Sequence, residues 1–205
     1  MNRRQLLIGS AILALAACGK RSRTRTIPAG STVLALGDSL TYGYGAPPAA
    51  AYPAQLSALT GWKVINGGVS GDTAADALAR LPGLMRLRPG LVIVSIGGND
   101  FLRRLSESTT RANIGKIIRT IQAAGIPAVL AGIPHLGAGA LFGRLSDHPL
   151  YQETAEQYRL PLFGGAWSEI LGNPALKSDP IHANAAGYRL FAEKLKAFLE
   201  EQGFA

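Results

Sequence analysis

Cysteine is almost missing from this chain: Cys18 is the only one in 205 residues. Everything beyond it is therefore without a disulfide, a cysteine nucleophile or a thiolate metal site. Histidine is scarce too, with only His135, His148 and His182. The three lack metal-ligand spacing, which argues against a zinc site, and no metal is expected. Charged residues make up only 17% of the chain, and the formal net charge is +8. Six of the cations, Arg3, Arg4, Lys20, Arg21, Arg23 and Arg25, lie in the first 25 residues, which leaves +2 for the rest. A nucleic-acid binder would be expected to carry its basic patch on the folded part, so no nucleic-acid partner is expected. Internal repeats and a second domain are absent, and the length suits a single full core.

The first residues read as a secretory leader. Arg3 and Arg4 form a positive start, and Leu6 to Ala17 is an apolar run of 12 residues. A membrane-spanning helix needs about 20 such residues. The run ends in Leu15-Ala16-Ala17-Cys18, which resembles the bacterial lipobox. That resemblance implies a signal peptide over residues 1–17, a lipidated Cys18 as mature N-terminus, and attachment to a membrane of the bacterial cell envelope. Gly19 is not a retention signal for the inner membrane, which points to the outer one. Residues 18–30 read as a basic, Thr-rich linker, and residues 31–205 as one globular domain.

Beyond the linker, short apolar runs alternate with amphipathic stretches. Strands are predicted at Thr32–Leu36, Trp62–Asn66, Leu91–Ile96 and Ile126–Ile133, with a short one at Leu160–Phe163. Helices are predicted over Tyr52–Leu59, over Thr73–Leu87 with a break near Pro82, and over Thr110–Ala124, where Ile114, Ile117, Ile118 and Ile121 share a face. Asn184 is a candidate cap for a last helix reaching about Gln202. The alternation implies an α/β fold with a parallel sheet covered on both faces.

Ligands of open parallel sheets bind at the carboxyl ends of the strands. Three exits carry small polar and glycine-rich segments: Gly37-Asp38-Ser39-Leu40, Ser70-Gly71-Asp72-Thr73 and Gly97-Gly98-Asn99-Asp100. Asp179-Pro180-Ile181-His182 precedes the last helix. These four segments, in this order over nearly the whole chain after the linker, resemble the GDSL (SGNH) hydrolase family. They look closest to its small periplasmic branch of acyl-thioesterases, lysophospholipases and arylesterases. The resemblance implies a three-layer flavodoxin-like fold with a five-stranded parallel sheet. It also implies hydrolysis of esters or thioesters through an acyl-enzyme, without a cofactor.

The family's roles carry over with Ser39 as nucleophile, His182 as base and then acid, and Asp179 as the acid that orients the imidazole. The oxyanion hole falls to the N–H of Ser39, the N–H of Gly71 and the amide of Asn99. Each choice suits its residue: a serine hydroxyl needs a neighbouring base, imidazole exchanges protons near neutrality, and a developing oxyanion needs preorganised donors. His135 and His148 are the rival histidines. Asp38 is read as holding its turn rather than as a second orienting acid. Ala183 stands where the family often has proline, which would loosen that loop. The stretch Pro134–Pro149 is a long loop in which Leu136, Leu141 and Phe142 are candidates to line an acyl pocket, alongside Phe101 and Leu102. Two other readings stand beside an ester or thioester hydrolase acting on a small-molecule or lipid substrate. They are an O-acetyl esterase of cell-envelope glycans and a non-catalytic surface lipoprotein.

Overall fold

A computed structural model describes residues 26–135 and 145–205. Cys18, the leader, most of the linker, and Leu136, Leu141 and Phe142 lie outside the described residues. In chain order the elements are β1 (Thr32–Gly37), α1 (Ser39–Tyr42), α2 (Tyr52–Thr60), β2 (Lys63–Gly68), α3 (Ala74–Met85), β3 (Leu91–Ser95), α4 (Gly98–Leu102), α5 (Glu107–Ala123) and β4 (Ala128–Ala131). They continue with β5 (Pro134–His135), β6 (Ser146–Asp147), α6 (Pro149–Tyr158), β7 (Leu162–Phe163), α7 (Ala166–Gly172) and α8 (Ala185–Glu201).

Five strands form one parallel sheet in the order β2-β1-β3-β4-β7. This is the flavodoxin-like order, and its direction reverses between β1 and β3. Central strands covered on both faces must be apolar throughout. β3 (LVIVS) is buried at all five positions and β4 (AVLA) at all four. The four isoleucines of α5 are fully buried against the sheet. On the other face Trp167 stacks on Phe191 at 3.7 Å between ring centroids, and Trp167 Nε1–H donates to Ser95 Oγ at 3.1 Å. The indole is thus buried with its one polar atom satisfied.

Several boundaries depart from the periodicity. The helix containing Pro82 does not break; it runs from Ala74 to Met85. A proline deprives the helix of one hydrogen bond. Buried Ala74, Ala77 and Leu81 hold the helix before the proline, and Leu84 and Met85 pack against the core after it. Thr73 and Asp76 close a capping box at its start, with Thr73 N–H donating to Asp76 Oδ2 at 3.0 Å. The next long helix begins at Glu107, three residues before the expected start at Thr110, because Ser106 caps it through Thr109 N–H. The fifth strand shrinks to Leu162–Phe163. At the foot of the long loop, Pro134 pairs with Asp147 and His135 with Ser146 in a two-stranded antiparallel hairpin.

The sheet edge that carries the site is tightly knit. A Cβ on Gly37 would overlap Thr41 Oγ1 and the Ser95 carbonyl, so only glycine lets β1 pass β3 and turn into α1. Tyr151, fully buried on α6, donates from its hydroxyl to the Ile96 carbonyl at 2.8 Å and holds the end of β3. The chain enters at the opposite edge, where Ile27 N–H donates to the Phe204 carbonyl at 2.8 Å.

Candidate active site

Ser39 is the first residue of α1, directly beyond β1. Asp38 caps that helix, accepting Leu40 N–H on Oδ1 at 3.0 Å. This is the turn-holding role expected of it. Ser39 N–H, as a first-turn amide, has no acceptor among the described residues. Burial above all pushes the Asp38 carboxyl up to about 7, and the nearby charges of Asp100 and Asp72 add to this against the opposing Leu40 hydrogen bond. The native chain therefore binds more protons than the unfolded one between the free value of 3.8 and about 7, and stability falls as pH rises through that window. Asp38→Asn keeps the acceptor for Leu40 N–H and removes the buried charge. Melting curves are expected to show a larger gain for this variant at pH 8 than at pH 5.

His182 comes from the loop before α8, 143 residues after Ser39. Its Nε2 lies 2.9 Å from Ser39 Oγ, and its Nδ1 lies 2.7 Å from Asp179 Oδ2. The other oxygen of Asp179 accepts the N–H groups of Ile181 at 2.9 Å and His182 at 2.8 Å. Burial works to raise the Asp179 pKa, but the hydrogen bonds from Ile181 and His182 outweigh it and hold the carboxyl below its ordinary range. A carboxylate that stays ionised fixes Nδ1 as the protonated nitrogen and leaves Nε2 free to accept from Ser39.

Ala183 does not loosen this loop. It is fully buried and bridges to Lys177, while Ser178 N–H donates to the His182 carbonyl at 3.0 Å. Those main-chain bonds supply the rigidity that a proline ring would otherwise give.

Asn99 sits in the first turn of α4, beyond β3, and donates from Nδ2 to the Asp72 carbonyl at 2.9 Å. One amide hydrogen is thereby spent, and the other remains for a ligand in the cleft that Asn99 lines with Ser39 and His182. Gly71 has φ +89°, and its N–H has no acceptor among the described residues. Its carbonyl accepts from Arg103 Nη2 at 2.7 Å. Asp72 in turn binds Arg80 Nε at 2.6 Å, and the same guanidinium reaches the Gly37 carbonyl at 2.7 Å. Buried Asp100 accepts Ala74 N–H at 2.8 Å and the Thr110 hydroxyl at 3.1 Å. The three strand exits are thus cross-tied through Arg80, Asn99, Asp100 and Arg103.

The cleft beside Ser39 is walled by Leu40, Phe101, Leu102, Ile133, Leu145, Leu171 and Ile181. His135 and His148 stand apart from Ser39's hydrogen-bonding chain. His148 lies flat on Phe101 at 4.4 Å and 5°, and His135 packs edge-on against His148. Burial, and then the neighbouring His135, lower the His148 pKa. Tyr44, which sequence motifs do not mark, places its ring 4.4 Å from that of His182. Among the described residues no group of three or more His, Cys, Asp or Glu side chains is arranged to hold a metal ion.

The sequence profile of the GDSL-like Lipase/Acylhydrolase family matches residues 35–190, from β1 into α8. The chain belongs to that family. Thioesterase 1/protease 1/lysophospholipase L1 of Escherichia coli (strain K12) is 34% identical over 165 residues, which cover 76% of this chain and 77% of that protein. An arylesterase of Vibrio mimicus is 32% identical over 177 residues, covering 80% and 86%. The crystal structure of TesA superimposes with a TM-score of 0.74 at 27% identity, covering 84% of this chain and 99% of the other. The fold is the α/β fold of SGNH hydrolases, and the protein is an ester hydrolase of the GDSL type, esterase- or thioesterase-like. The segments around Ser39, Gly71 and Asn99 and the Asp179–His182 pair all fall inside the region matched by the family.

Proposed function

We propose that this GDSL hydrolase cleaves carboxylic esters or thioesters of apolar acyl chains through an acyl-enzyme on Ser39. The observation that carries this reading is the unbroken hydrogen-bonded chain from Ser39 Oγ through His182 to Asp179. As Ser39 Oγ attacks the carbonyl carbon, its proton passes to His182 Nε2, and Asp179 stabilises the imidazolium. The oxyanion is met by the N–H groups of Ser39 and Gly71 and by the amide of Asn99. Collapse expels the alcohol or thiol, which takes the proton from His182. Water, deprotonated by the same imidazole, then attacks the acyl-enzyme, and the acid and free Ser39 are regenerated.

The apolar walls support an acyl chain rather than acetate. Seven carbon-rich side chains flank the nucleophile, and each further buried methylene adds about 0.8 kcal/mol of binding. Along a series of p-nitrophenyl esters from acetate to octanoate, kcat/KM is expected to rise over the first several carbons. A steep fall beyond acetate would favour the alternative, an O-acetyl esterase of envelope glycans.

For the whole chain we propose a lipid-anchored protein of the bacterial cell envelope, held in the outer membrane through Cys18. The support is the Leu15-Ala16-Ala17-Cys18 segment at the end of an apolar run. Residues 1–17 are then removed, 18–30 tether the domain, and 31–205 form the hydrolase. Among the described residues no helix is long and apolar enough to cross a membrane. Ile27, where the tether meets the described residues, is held at the end of the sheet opposite the cleft. Mass spectrometry of the native protein should find acyl groups on Cys18. A soluble wild-type form cleaved elsewhere would refute the anchor.

A further inference from the structure

Among the described residues, seven large apolar side chains are exposed, and five of them lie on segments leaving the carboxyl ends of β1, β2 and β3: Tyr42, Tyr44, Val69, Leu102 and Leu105. Leu102 lines the cleft itself, and hydrogen bonds link the segments that carry Tyr42, Val69 and Leu102. Asn66 Nδ2, three residues before Val69, donates to the Tyr42 carbonyl at 3.1 Å, and Arg103 ties the Val69–Asp72 turn to the end of α4 at 2.7 Å. The Leu102-Arg103-Arg104-Leu105 segment is exposed throughout and sets two cations between two leucines. Arg104 has φ +54°, the left-handed region that Gly or Asn occupies more easily, and it forms no ion pair among the described residues. The acids nearby are already engaged. Asp72 pairs with Arg80 and Glu107 with Arg111, Asp76 closes the α3 cap, and Asp100 is buried. Asp76 keeps its negative charge, so what this segment offers an anion is Arg104, exposed and without an ion pair among the described residues.

We propose that the rim is a docking surface for an anionic phospholipid layer. Tyr42, Val69, Leu102 and Leu105 enter the zone between headgroups and acyl chains, and Arg104 meets lipid phosphates. Leucines and arginines interleaved within four residues match a layer that is apolar beneath and anionic above. Exposed apolar side chains gathered at one place on a surface mark a site of interaction rather than ordinary surface. The further consequence, entry of ester substrates from that layer into the cleft, rests on the hydrolase reading above.

Cosedimentation with vesicles tests this. The full chain is used with Cys18→Ser throughout, so that any contribution of residues 1–25 is shared by all samples. Binding to phosphatidylglycerol-containing vesicles should exceed binding to pure phosphatidylcholine. Arg104→Asn/Leu105→Ser should weaken the anionic binding about tenfold, and Arg104→Asn alone by a smaller factor. Neither residue lines the cleft, so hydrolysis of soluble p-nitrophenyl butyrate should be unchanged. Equal binding by wild type and variants, or equal binding to both vesicle types, would overturn the proposal. Loss of hydrolysis of the soluble ester by the wild type would instead overturn the enzymatic reading, and the vesicle comparison would still stand.

Discussion

Ser39→Ala and His182→Ala should each lower kcat by on the order of 10^4- to 10^6-fold, and the double variant should be little worse than either. The reason is that the two groups perform one act. The hydroxyl is a weak nucleophile until its proton moves to Nε2, which stands 2.9 Å away. Removing either end abolishes that transfer, so the second removal has little left to take. Asp179→Asn belongs to the same set but acts differently. It keeps a side chain that can still accept the N–H groups of Ile181 and His182, so the loop should fold. It loses the charge that favours the imidazolium and the acceptor that holds the Nδ1 proton. A fall of about 10^4 in kcat with a near-normal melting temperature is therefore expected. His135→Ala should retain activity, since its ring packs on His148 rather than into the Ser39 chain. The checks are steady-state kinetics on a soluble ester and labelling with a serine-reactive phosphonate. A fully labelled His182→Ala variant, or a His135→Ala variant more damaged than His182→Ala, would sink the assignment.

The second large effect is expected at Asn99. Losing one oxyanion donor typically costs about 3–4 kcal/mol of transition-state stabilisation, a few hundred-fold in kcat. Asn99 also ties α4 to the Asp72 carbonyl at 2.9 Å, so Asn99→Ala should cost about 1 kcal/mol of stability as well. The two losses separate cleanly. The tie is a ground-state bond and shows in the melt, whereas the oxyanion bond exists only at the tetrahedral stage and shows in kcat with KM nearly kept. A lowered melting temperature with unchanged kcat would confine Asn99 to holding the loop and leave two donors for the oxyanion.

Much of this protein is legible along the chain because its signals are local. An unbroken apolar run such as LVIVS has no stable place except between two covering layers, and four isoleucines at helical spacing have no place except against a sheet. Asn184 announces its helix because a side-chain acceptor for Gly187 N–H is a local requirement, met here at 3.0 Å. The segments around Ser39, Gly71, Asn99 and His182 are likewise short blocks, each readable by itself. Their order and spacing mark the family.

What only the tertiary structure decided are contacts between positions distant in sequence. No local pattern shows that Arg80 binds both Asp72 and the Gly37 carbonyl, since a guanidinium on a helix surface reads as a solvated charge. Pro82 reads as a break, yet the packing of Leu81 and its neighbours carries the helix through it. Ala183 reads as a slack joint, but main-chain bonds from Ser178 N–H to the His182 carbonyl and from Asn184 N–H to the Leu176 carbonyl stiffen the loop. Tyr44 reads as an ordinary exposed aromatic until the fold returns His182 from 138 residues away to meet it at 4.4 Å. Propensity and motif are properties of neighbouring residues. Charge pairing, ring contacts and the compensation of a local defect depend on which surfaces the sheet order β2-β1-β3-β4-β7 brings face to face.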